Sequence, residues 1–355
     1  MIVEIVIIIL IFMSVLWKRN RAVFGLILGM MFILMAYSTF NADYNAYMHR
    51  YEDLEKFSEI FRTDAGFGAL MYLSKFILKL SYQDFIGIVC IISLSIISIA
   101  FWKWSEYPCL MQIIYFMLFY RTHATQLRAF ISEVLIIYAV LTIIEDNKKI
   151  VQFLLLILLA STFHYTAIFY FAILVPLFVK KKRTTYTFTV LVMLVMPFLY
   201  TLLLRFSPAS AQLRMDIYFG NAHLGTSVRG TMFVLLFLIM TFITGAVAKK
   251  ATLENESSTA KVFDLVTNFN IVTWISLGLI LRYSNNFFRI NRPMIIVSIL
   301  CLLEYIIDKY EKRIRGFIII EIFSVVSFYV LREILSNTWY KQILLNSLFQ
   351  RIGLL

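Results

Sequence analysis

Charged residues are scarce in this sequence. Asp, Glu, Lys and Arg together make up 15% of the 355 residues, whereas hydrophobic residues make up 61% and the mean hydropathy is +0.82. Soluble globular proteins average about 25% charged residues, so this shortage excludes a chain whose main solvent is water. Only short polar joints separate the apolar stretches, and no domain boundary stands out. We interpret residues 1–355 as a single transmembrane domain.

Cysteine and recognisable cofactor motifs are also rare. Three cysteines stand singly in apolar segments: Cys90, Cys109 and Cys301. They support neither a disulfide framework nor a zinc knuckle, and we interpret them as packing residues. Phosphate-loop and dinucleotide motifs are absent, so no nucleotide cofactor is expected. His49 lies near Asp43, Glu52 and Asp53, but this group lacks a ligand spacing, and we expect no metal site.

The apolar pattern predicts an all-α, polytopic integral membrane protein with about twelve transmembrane helices, since each crossing needs roughly 20 apolar residues. The first apolar run, 1–17, has its basic residues after it and no cleavage site, so we expect a retained helix rather than a signal peptide. The other spans are predicted at 22–40, 85–101, 107–121, 123–144, 150–163, 165–179, 186–204, 229–248, 264–282, 290–307 and 316–331.

One further apolar stretch, 67–80, contains Lys75 and Lys79. These charges favour a helix that lies in the membrane interface or re-enters the membrane. The stretch belongs to a predicted outer amphipathic segment at about 41–84, and a second outer loop is predicted at about 205–228.

Lysine dominates the predicted inner loops. With the amino terminus outside, these loops hold Lys18, Arg19, Arg21, Lys103, Lys148, Lys149, 180–183, Lys249, Lys250, Lys261, Lys309, Lys312, Arg313 and Arg315, as the positive-inside rule requires. Basic loops beside anionic lipid explain much of the net charge of +12, so no nucleic-acid partner is expected.

Arginine dominates the opposite side. The residues concerned are Arg50, Arg62, Arg121, Arg128, Arg205, Arg214, Arg229, Arg282, Arg289, Arg292, Arg332 and Arg351. Because the guanidinium fork suits phosphate and carboxylate, this bias indicates an anionic ligand outside. The alternative is that these arginines reach lipid headgroups or pair with the acidic residues of the 43–64 loop.

An aromatic stripe follows the second span. Its residues are spaced three, four and three apart: Tyr44, Tyr47, Tyr51 and Leu54. This spacing predicts an amphipathic helix. Asp43 and Arg50 lie on an adjacent face with Tyr47, so a carboxylate stands beside rings that can stack on sugars. An interfacial aromatic belt with a solvated charged face is the alternative.

Two groups of polar residues follow helical spacing at the outer side. Arg121, Thr125, Arg128 and Ser132 are four, three and four residues apart, and an ion pair with Glu133 or with another helix is the structural alternative. A second group is spaced three, four and three apart and shares one face if its segment is helical, although Pro293 is expected to start a new helix: Arg282, Asn285, Arg289 and Arg292.

A histidine, His164, stands in the very tight joint between the spans 150–163 and 165–179. Its ordinary pKa lies nearest to neutral pH, which suits proton transfer. The alternative is a hydrogen-bonded packing residue.

The order of these features resembles the EpsG-like branch of the Wzy-type bacterial polysaccharide polymerases. The resemblance spans about residues 35 to 310 and rests on Asp43, Tyr44 and Tyr47, on the Asp64-Ala-Gly66-Phe67 start of the next amphipathic stretch, on Arg128, on His164, and on Arg289 and Arg292. The chain departs from the family where Ala42 stands in place of a Gly before the aspartate, and where Gln126 precedes rather than follows the arginine.

The resemblance implies a multi-pass enzyme of the bacterial cytoplasmic membrane, with an architecture like that of the C-type membrane glycosyltransferases. Such polymerases join undecaprenyl-pyrophosphate-linked oligosaccharide repeat units into exopolysaccharide, capsule or O-antigen, without a metal. Membrane lipids, a chain-length regulator and a flippase would be its partners.

The resemblance also implies roles for individual residues. Arg128, Arg121, Arg289, Arg292 and Arg282 would hold the pyrophosphate, and Tyr44 and Tyr47 would contact the sugar. His164 would accept the hydroxyl proton and Asp43 would orient the sugar or the histidine; the reverse assignment stays open.

Two other classes of protein remain as alternatives. A flippase or transporter of lipid-linked oligosaccharide also needs outer cationic residues, but commonly shows internal repeats, and none is found in this sequence. A membrane O-acyltransferase would modify polysaccharide with a different catalytic constellation.

Overall fold

The computed structural model describes residues 2–39, 43–62, 64–179, 181–205, 228–282 and 285–309. These residues form helices joined by short turns, and no β-strand occurs among them. The predicted all-α fold class is confirmed for this part of the chain.

In chain order the α-helices are α1 (Ile2–Leu16), α2 (Arg21–Ala36), α3 (Tyr44–Glu52), α4 (Ala65–Tyr72), α5 (Tyr82–Trp104), α6 (Pro108–Thr125), α7 (Leu127–Glu145), α8 (Ile150–Phe163), α9 (Leu174–Phe178), α10 (Lys182–Arg205), α11 (Val228–Leu253), α12 (Ser257–Thr273), α13 (Ile275–Arg282) and α14 (Arg292–Lys309). 3-10 helices lie at Phe57–Arg62, Tyr165–Ile173 and Asn285–Ile290, and a π-helical turn lies at Leu73–Ile77.

Local sequence explains where α5 begins. Ser81 and Asp84 form a reciprocal capping box: Ser81 Oγ accepts the Asp84 N–H at 3.2 Å, and the Asp84 carboxylate accepts the Ser81 N–H at 3.2 Å. Such a box satisfies N–H groups that have no partner inside the helix. The helix therefore starts at Tyr82, before the predicted start at 85, and spans 23 residues.

Four stretches within the described ranges are long and apolar enough to cross a membrane, judged by length and composition: Tyr82–Trp104, Leu127–Glu145, Val234–Leu253 and Ser257–Leu281. Shorter apolar helices lie at Val6–Leu16, Arg21–Ala36, Ala65–Ile77, Pro108–Tyr120, Ile150–Phe163 and Tyr165–Phe178. The count of twelve spans stays a prediction. The span at 316–331 and residues 206–227 of the second outer loop lie outside the described residues.

Three predicted spans differ from the structure, and one of them, 264–282, is interrupted at Trp274 between α12 and α13. The predicted helix 123–144 is interrupted at Gln126, whose backbone (φ −104°, ψ 65°) leaves the helical region between α6 and α7. The predicted span 165–179 is α-helical only in its last part, α9, because its first part forms a 3-10 helix.

The chain divides into two compact units. Unit 1 comprises Met1–Leu141, Leu158–Tyr165 and the chain from Leu303 onward, and unit 2 comprises Thr142–Ile157 and Thr166–Leu302. The single transmembrane domain was inferred for all 355 residues and stays a prediction.

In unit 1, α2 packs against α5 and α6. Buried side chains line one face of α2: Val23, Ile27, Met31 and Leu34. Tyr120 Oη donates a hydrogen bond to the Leu34 carbonyl at 3.1 Å, and Gln83 Nε2 donates to the Ala36 carbonyl. The carboxyl end of α2 therefore lies beside the start of α5 and the end of α6.

The opposite end of unit 1 carries basic residues that precede α2. Lys18 Nζ donates to Tyr107 Oη at 2.8 Å, and Arg19 Nη2 donates to the Trp102 carbonyl at 2.8 Å. Because α2 and α5 run in opposite directions, these residues lie at the end away from segment 43–85. This separation is the arrangement that the predicted orientation requires, and the sidedness itself stays a prediction.

Labelling of single cysteines tests the sidedness. In a background without the three native cysteines, we expect a cysteine at the exposed Asp53 to react with an impermeant thiol reagent in intact cells. A cysteine at the exposed Ser257 should react only after the membrane is opened, since Ser257 lies between Lys250 and Lys261 and lysine-rich loops stay inside. The reverse labelling pattern would overturn the orientation.

In unit 2, a buried asparagine stabilises an interrupted helix. The interruption lies at Trp274, between α12 and α13. Asn291 Nδ2 donates to the Thr273 carbonyl at 3.1 Å, and Ser276 Oγ donates to Asn291 Oδ1 at 2.5 Å. Because a backbone carbonyl without a partner is costly in an apolar medium, Asn291 makes the interruption tolerable.

Candidate functional site

Arg128 lies at the centre of a polar contact among three elements of unit 1. Its Nη1 donates to Asp64 Oδ2 at 2.7 Å, and its Nε donates to Tyr47 Oη at 3.2 Å. The guanidinium carbon lies 5.7 Å from the centre of the Tyr47 ring. These contacts fix the plane of the guanidinium at the end of unit 1 that is remote from Lys18.

The position of Arg128 follows from the break before α7. The Gln126 N–H donates to the Thr122 carbonyl at 2.8 Å, and the Phe130 N–H donates to the Gln126 carbonyl at 2.9 Å. The chain therefore ends one helix and begins the next around a single residue, which places Arg128 in the first turn of α7.

Asp64 precedes α4 but does not cap it. An aspartate at this position commonly accepts N–H groups of the first helical turn, yet the Asp64 side chain makes no such bond. Its carboxylate contacts Arg128 instead and also accepts the backbone N–H of Tyr165. Asp64 thus links the start of α7 to the segment that follows α8.

Burial governs the charge of Asp64, which lies in the predicted outer segment at about 41–84. Its side chain is 14% exposed. Burial raises the pKa of this carboxyl, and Arg128, Arg50 and the Tyr165 N–H oppose that rise without cancelling it. The carboxylate is therefore a better proton acceptor than an exposed aspartate.

A glycine allows α4 to approach the end of α8. A Cβ added at Gly66 would lie 2.9 Å from Thr162 Cβ and closer still to Thr162 Oγ1. Distances below 3.0 Å require the neighbour to move, so only glycine fits this approach. The contact brings Asp64 next to the backbone that carries His164.

His164 is the single residue between α8 and the 3-10 helix Tyr165–Ile173, as the predicted tight joint implies. Its N–H donates to the Ala160 carbonyl at 3.0 Å, and its ring meets the Tyr165 ring edge-on at 4.9 Å. Only 4% of the residue is exposed. Tyr165, whose N–H binds Asp64, follows His164 directly in the chain. The positions of His164 and of the Asp64 carboxylate therefore depend on the same short backbone segment.

The aromatic stripe of α3 is used largely for packing. Tyr47 and Tyr51 are buried, with Tyr47 against Phe67 at 5.6 Å and Tyr51 stacked on Phe85 at 5.2 Å. Tyr44 is half-buried. The predicted amphipathic helix is confirmed, but its buried rings do not form an open platform for a sugar.

Asp43 lies at the amino end of α3 and is half-buried, without capping the helix. Next to it, Tyr44 Oη donates to Gln83 Oε1 at 3.3 Å, and the Tyr44 ring meets Tyr82 edge-on at 5.2 Å. This places Asp43 and Tyr44 against the start of α5, on the same helix as Tyr47.

The two predicted polar stripes do not lie on continuous helices. Arg121 and Thr125 belong to α6, whereas Arg128 and Ser132 belong to α7, because of the break at Gln126. The side chain of Arg121 lies outside the described part of the structure.

The second stripe spans three elements of unit 2. Arg282 ends α13 and Asn285 begins a 3-10 helix, and their side chains are not described. Arg289 lies half-buried in that 3-10 helix, and Arg292, 5% exposed, begins α14.

Sequence reasoning covered one pairing in general terms and missed another. Arg128 pairs with Asp64 rather than with Glu133, which bears out the alternative that the outer arginines pair with acidic residues of the 43–64 loop. Glu133 instead accepts from His123 at 3.0 Å. His123 and Glu133 stand on opposite sides of Gln126 with no helical spacing, so no periodicity could have indicated this pair.

In the described ranges no group of three or more His, Cys, Asp or Glu residues is placed to hold a metal ion.

Enlarging Gly66 tests whether the α4–α8 contact supports the site. Gly66→Ala should destabilise the protein by about 1–3 kcal/mol, as overpacking usually does, and should displace Asp64 from Arg128. Thermal unfolding of the purified protein measures this loss. Thr162→Gly in the same chain should restore part of the stability, since only the Thr162 carbonyl carbon at 3.1 Å then stays close. Gly87→Ala in α5 is the matched control, because nothing lies within 4 Å of an added Cβ there.

The comparisons with known proteins bear on the family alone. A family model described as the EpsG family matches residues 21–345, which is nearly the whole chain. The searches of the curated proteins and of the solved structures gave no match. The family match confirms the resemblance inferred from the sequence. The chain belongs to the EpsG family and is a polysaccharide-related membrane protein.

Proposed function

We propose that this protein polymerises undecaprenyl-pyrophosphate-linked oligosaccharide repeat units on the outer face of the bacterial cytoplasmic membrane. It would act as a multi-pass glycosyltransferase with about twelve spans and a C-type architecture. The product would be exopolysaccharide or capsule. The family supports the class of protein, and the arrangement around Arg128 supports the reaction.

The observation that carries the proposal is the held guanidinium of Arg128. Asp64 and Tyr47 fix its plane at the end of unit 1 away from Lys18 and Arg19, and the side chain is 23% exposed. An oriented arginine recognises phosphate more specifically than a lysine does, because its donors form a rigid fork. This end of the unit is therefore suited to a pyrophosphate headgroup.

The proposed reaction is one group transfer. A sugar hydroxyl of the incoming unit attacks the anomeric carbon of the growing chain, and a new C–O bond forms. The bond from that carbon to the pyrophosphate oxygen breaks, and undecaprenyl pyrophosphate leaves with the electron pair. The hydroxyl proton passes to the base. Atoms and charge balance without a metal ion or a cofactor.

Roles follow from the chemistry of each side chain. Arg128 would stabilise the negative charge on the leaving pyrophosphate, and Arg121 would assist it. Arg282, Arg289 and Arg292 stay substrate-binding candidates from the sequence. His164 would accept the proton, and Asp43 would orient the sugar or the histidine. Tyr44 is the half-exposed ring nearest to Asp43, and Tyr47 would act through Arg128.

Asp64 is an addition that the structure suggests. Its carboxylate contacts both Arg128 and the Tyr165 N–H. It would therefore fix the position of Arg128, the phosphate-binding group, relative to His164, the base. Its raised pKa also makes it, beside Asp43, a candidate for proton acceptor if His164 is not the base.

The proposal is tested by where single repeat units accumulate. In a strain without this protein, polymer should disappear while single lipid-linked repeat units accumulate on the outer face of the membrane. Accumulation on the inner face would identify a flippase instead. Polymer of normal length that lacks acyl groups would identify an O-acyltransferase. A chain-length regulator, a flippase and membrane lipids are the partners expected for the polymerase.

A further inference from the structure

A chain of three buried side chains joins α6 to α7, apart from the groups assigned to the transfer. His123 Nδ1 lies 2.9 Å from Tyr115 Oη, and His123 Nε2 lies 3.0 Å from Glu133 Oε2. The imidazole is stacked on the Phe130 ring at 4.6 Å with an interplanar angle of 11°. The Glu133 carboxylate, the His123 imidazole and the Tyr115 phenol therefore form a continuous hydrogen-bonded chain.

These three side chains are buried and bond to one another. Tyr115 and His123 are each 1% exposed, and Glu133 is 4% exposed. An ionisable group inside a helical membrane protein is expensive unless a partner compensates it. Because the polar atoms of the three groups contact one another, we expect a contribution to the reaction to pass through another residue.

The residue in position to be affected is Arg128. His123 lies in the last turn of α6 and Glu133 belongs to α7. Their contact joins two residues ten positions apart, and the break at Gln126 lies between them. Arg128 lies between the same two residues. The hydrogen bond across the break fixes the angle between the two helices and therefore the direction in which Arg128 leaves α7.

We propose that Tyr115, His123 and Glu133 are positioning residues that hold the α6–α7 break so that Arg128 meets Asp64 and Tyr47. The link to the reaction rests on the proposed function, whereas the effect on the break does not depend on it. A carboxylate is needed here as a hydrogen-bond acceptor, not as a charge that reacts.

The test uses the full-length protein in lipid nanodiscs with two measurements. Amide hydrogen exchange of residues 121–132 reports on the break and needs no substrate. Polymerisation of purified lipid-linked repeat unit reports on turnover. Glu133→Leu removes the acceptor, whereas Glu133→Gln retains an oxygen that accepts from His123. Ser98→Ala is the control, because it removes a buried hydrogen bond, to Gln112, elsewhere in unit 1.

Glu133→Leu should raise exchange in this segment at least about tenfold, since removing one partner of a buried pair is strongly destabilising. It should lower kcat about 10²-fold, as expected when a substrate-binding group is misplaced by about 1 Å. Glu133→Gln should stay close to wild type in both measurements, and so should Ser98→Ala.

Tyr115→Phe is a milder variant that tests the proposal even if the Glu133→Leu protein does not fold. Tyr115→Phe keeps the ring and loses only the bond to His123, so exchange in the segment should rise about threefold to tenfold. A Tyr115→Phe protein with unchanged exchange would contradict the proposal.

Three further results would overturn it. Unchanged exchange in Glu133→Leu would mean that the pair does not hold the break. Raised exchange with normal turnover would mean that the break does not position Arg128. Equal loss in Glu133→Gln and Glu133→Leu would mean that the charge or a proton is needed. If the wild-type protein forms no polymer, the proposed function fails, and the exchange measurement alone decides whether the pair holds the break.

Discussion

Arg128→Lys is expected to lower polymer formation at least about 10²-fold while the protein inserts into the membrane normally, a loss typical of removing one group that stabilises transition-state charge. Lysine keeps the positive charge but not the planar fork, so it cannot contact Asp64 and Tyr47 in the geometry of Nη1 and Nε. Polymer length and amount in cells, with immunoblots of the membrane fraction, measure the effect.

Arg19→Lys is the matched control for this change. Like Arg128, Arg19 donates two hydrogen bonds. Its acceptors are the backbone carbonyls of Ser105 and Trp102, at the opposite end of unit 1. It should leave polymer formation unchanged, since a lysine keeps the positive charge that the positive-inside rule requires of the predicted inner loops. If Arg128→Lys and Arg128→Ala both make polymer of wild-type length, Arg128 is a lipid anchor and not part of the site.

His164→Gln should remove turnover while the lipid-linked substrate still binds. Glutamine has a similar size and can hydrogen-bond, but it cannot accept the hydroxyl proton at neutral pH. Loss of a general base lowers the rate by about 10²-fold or more. In vitro polymerisation with purified lipid-linked repeat unit measures the rate, and a binding assay with the same substrate separates binding from turnover.

His49→Gln provides the comparison for His164→Gln. His49 is exposed on α3, 3.9 Å from Glu52, and no step of the proposed reaction uses it. A His164→Gln enzyme that keeps more than about a tenth of the wild-type rate falls short of the loss expected for a general base. The role would then pass to Asp43 or to Asp64.

Much of the fold could be predicted from the sequence because helix formation in apolar segments is local. The run that became α5 differs from its predicted bounds by a few residues at each end, and the added first turn is explained by Ser81 and Asp84. The aromatic spacing after α2 gave the amphipathic α3 correctly. Periodicity says which face of such a helix is apolar, and it cannot say whether that face meets solvent, lipid or protein.

The candidate site was predicted only in part. Arg128 and Tyr47 were both singled out, and the structure places them in contact. Their link to Asp64 joins residues 64 positions apart. A pairing at that separation leaves no periodic signal, because it depends on how α3, α4 and α7 pack.

The sequence by itself determined that this is an apolar, helical membrane protein of the EpsG family, with lysine more frequent in one set of loops and arginine in the other. These properties depend on composition and on the order of short motifs. The tertiary structure decided that Arg128 is held by Asp64, that His123 pairs with Glu133 across the break at Gln126, and that Tyr47 is buried. The reason is physical: a buried charge needs a partner, and which side chain can reach it depends on the packing of helices that are distant in sequence.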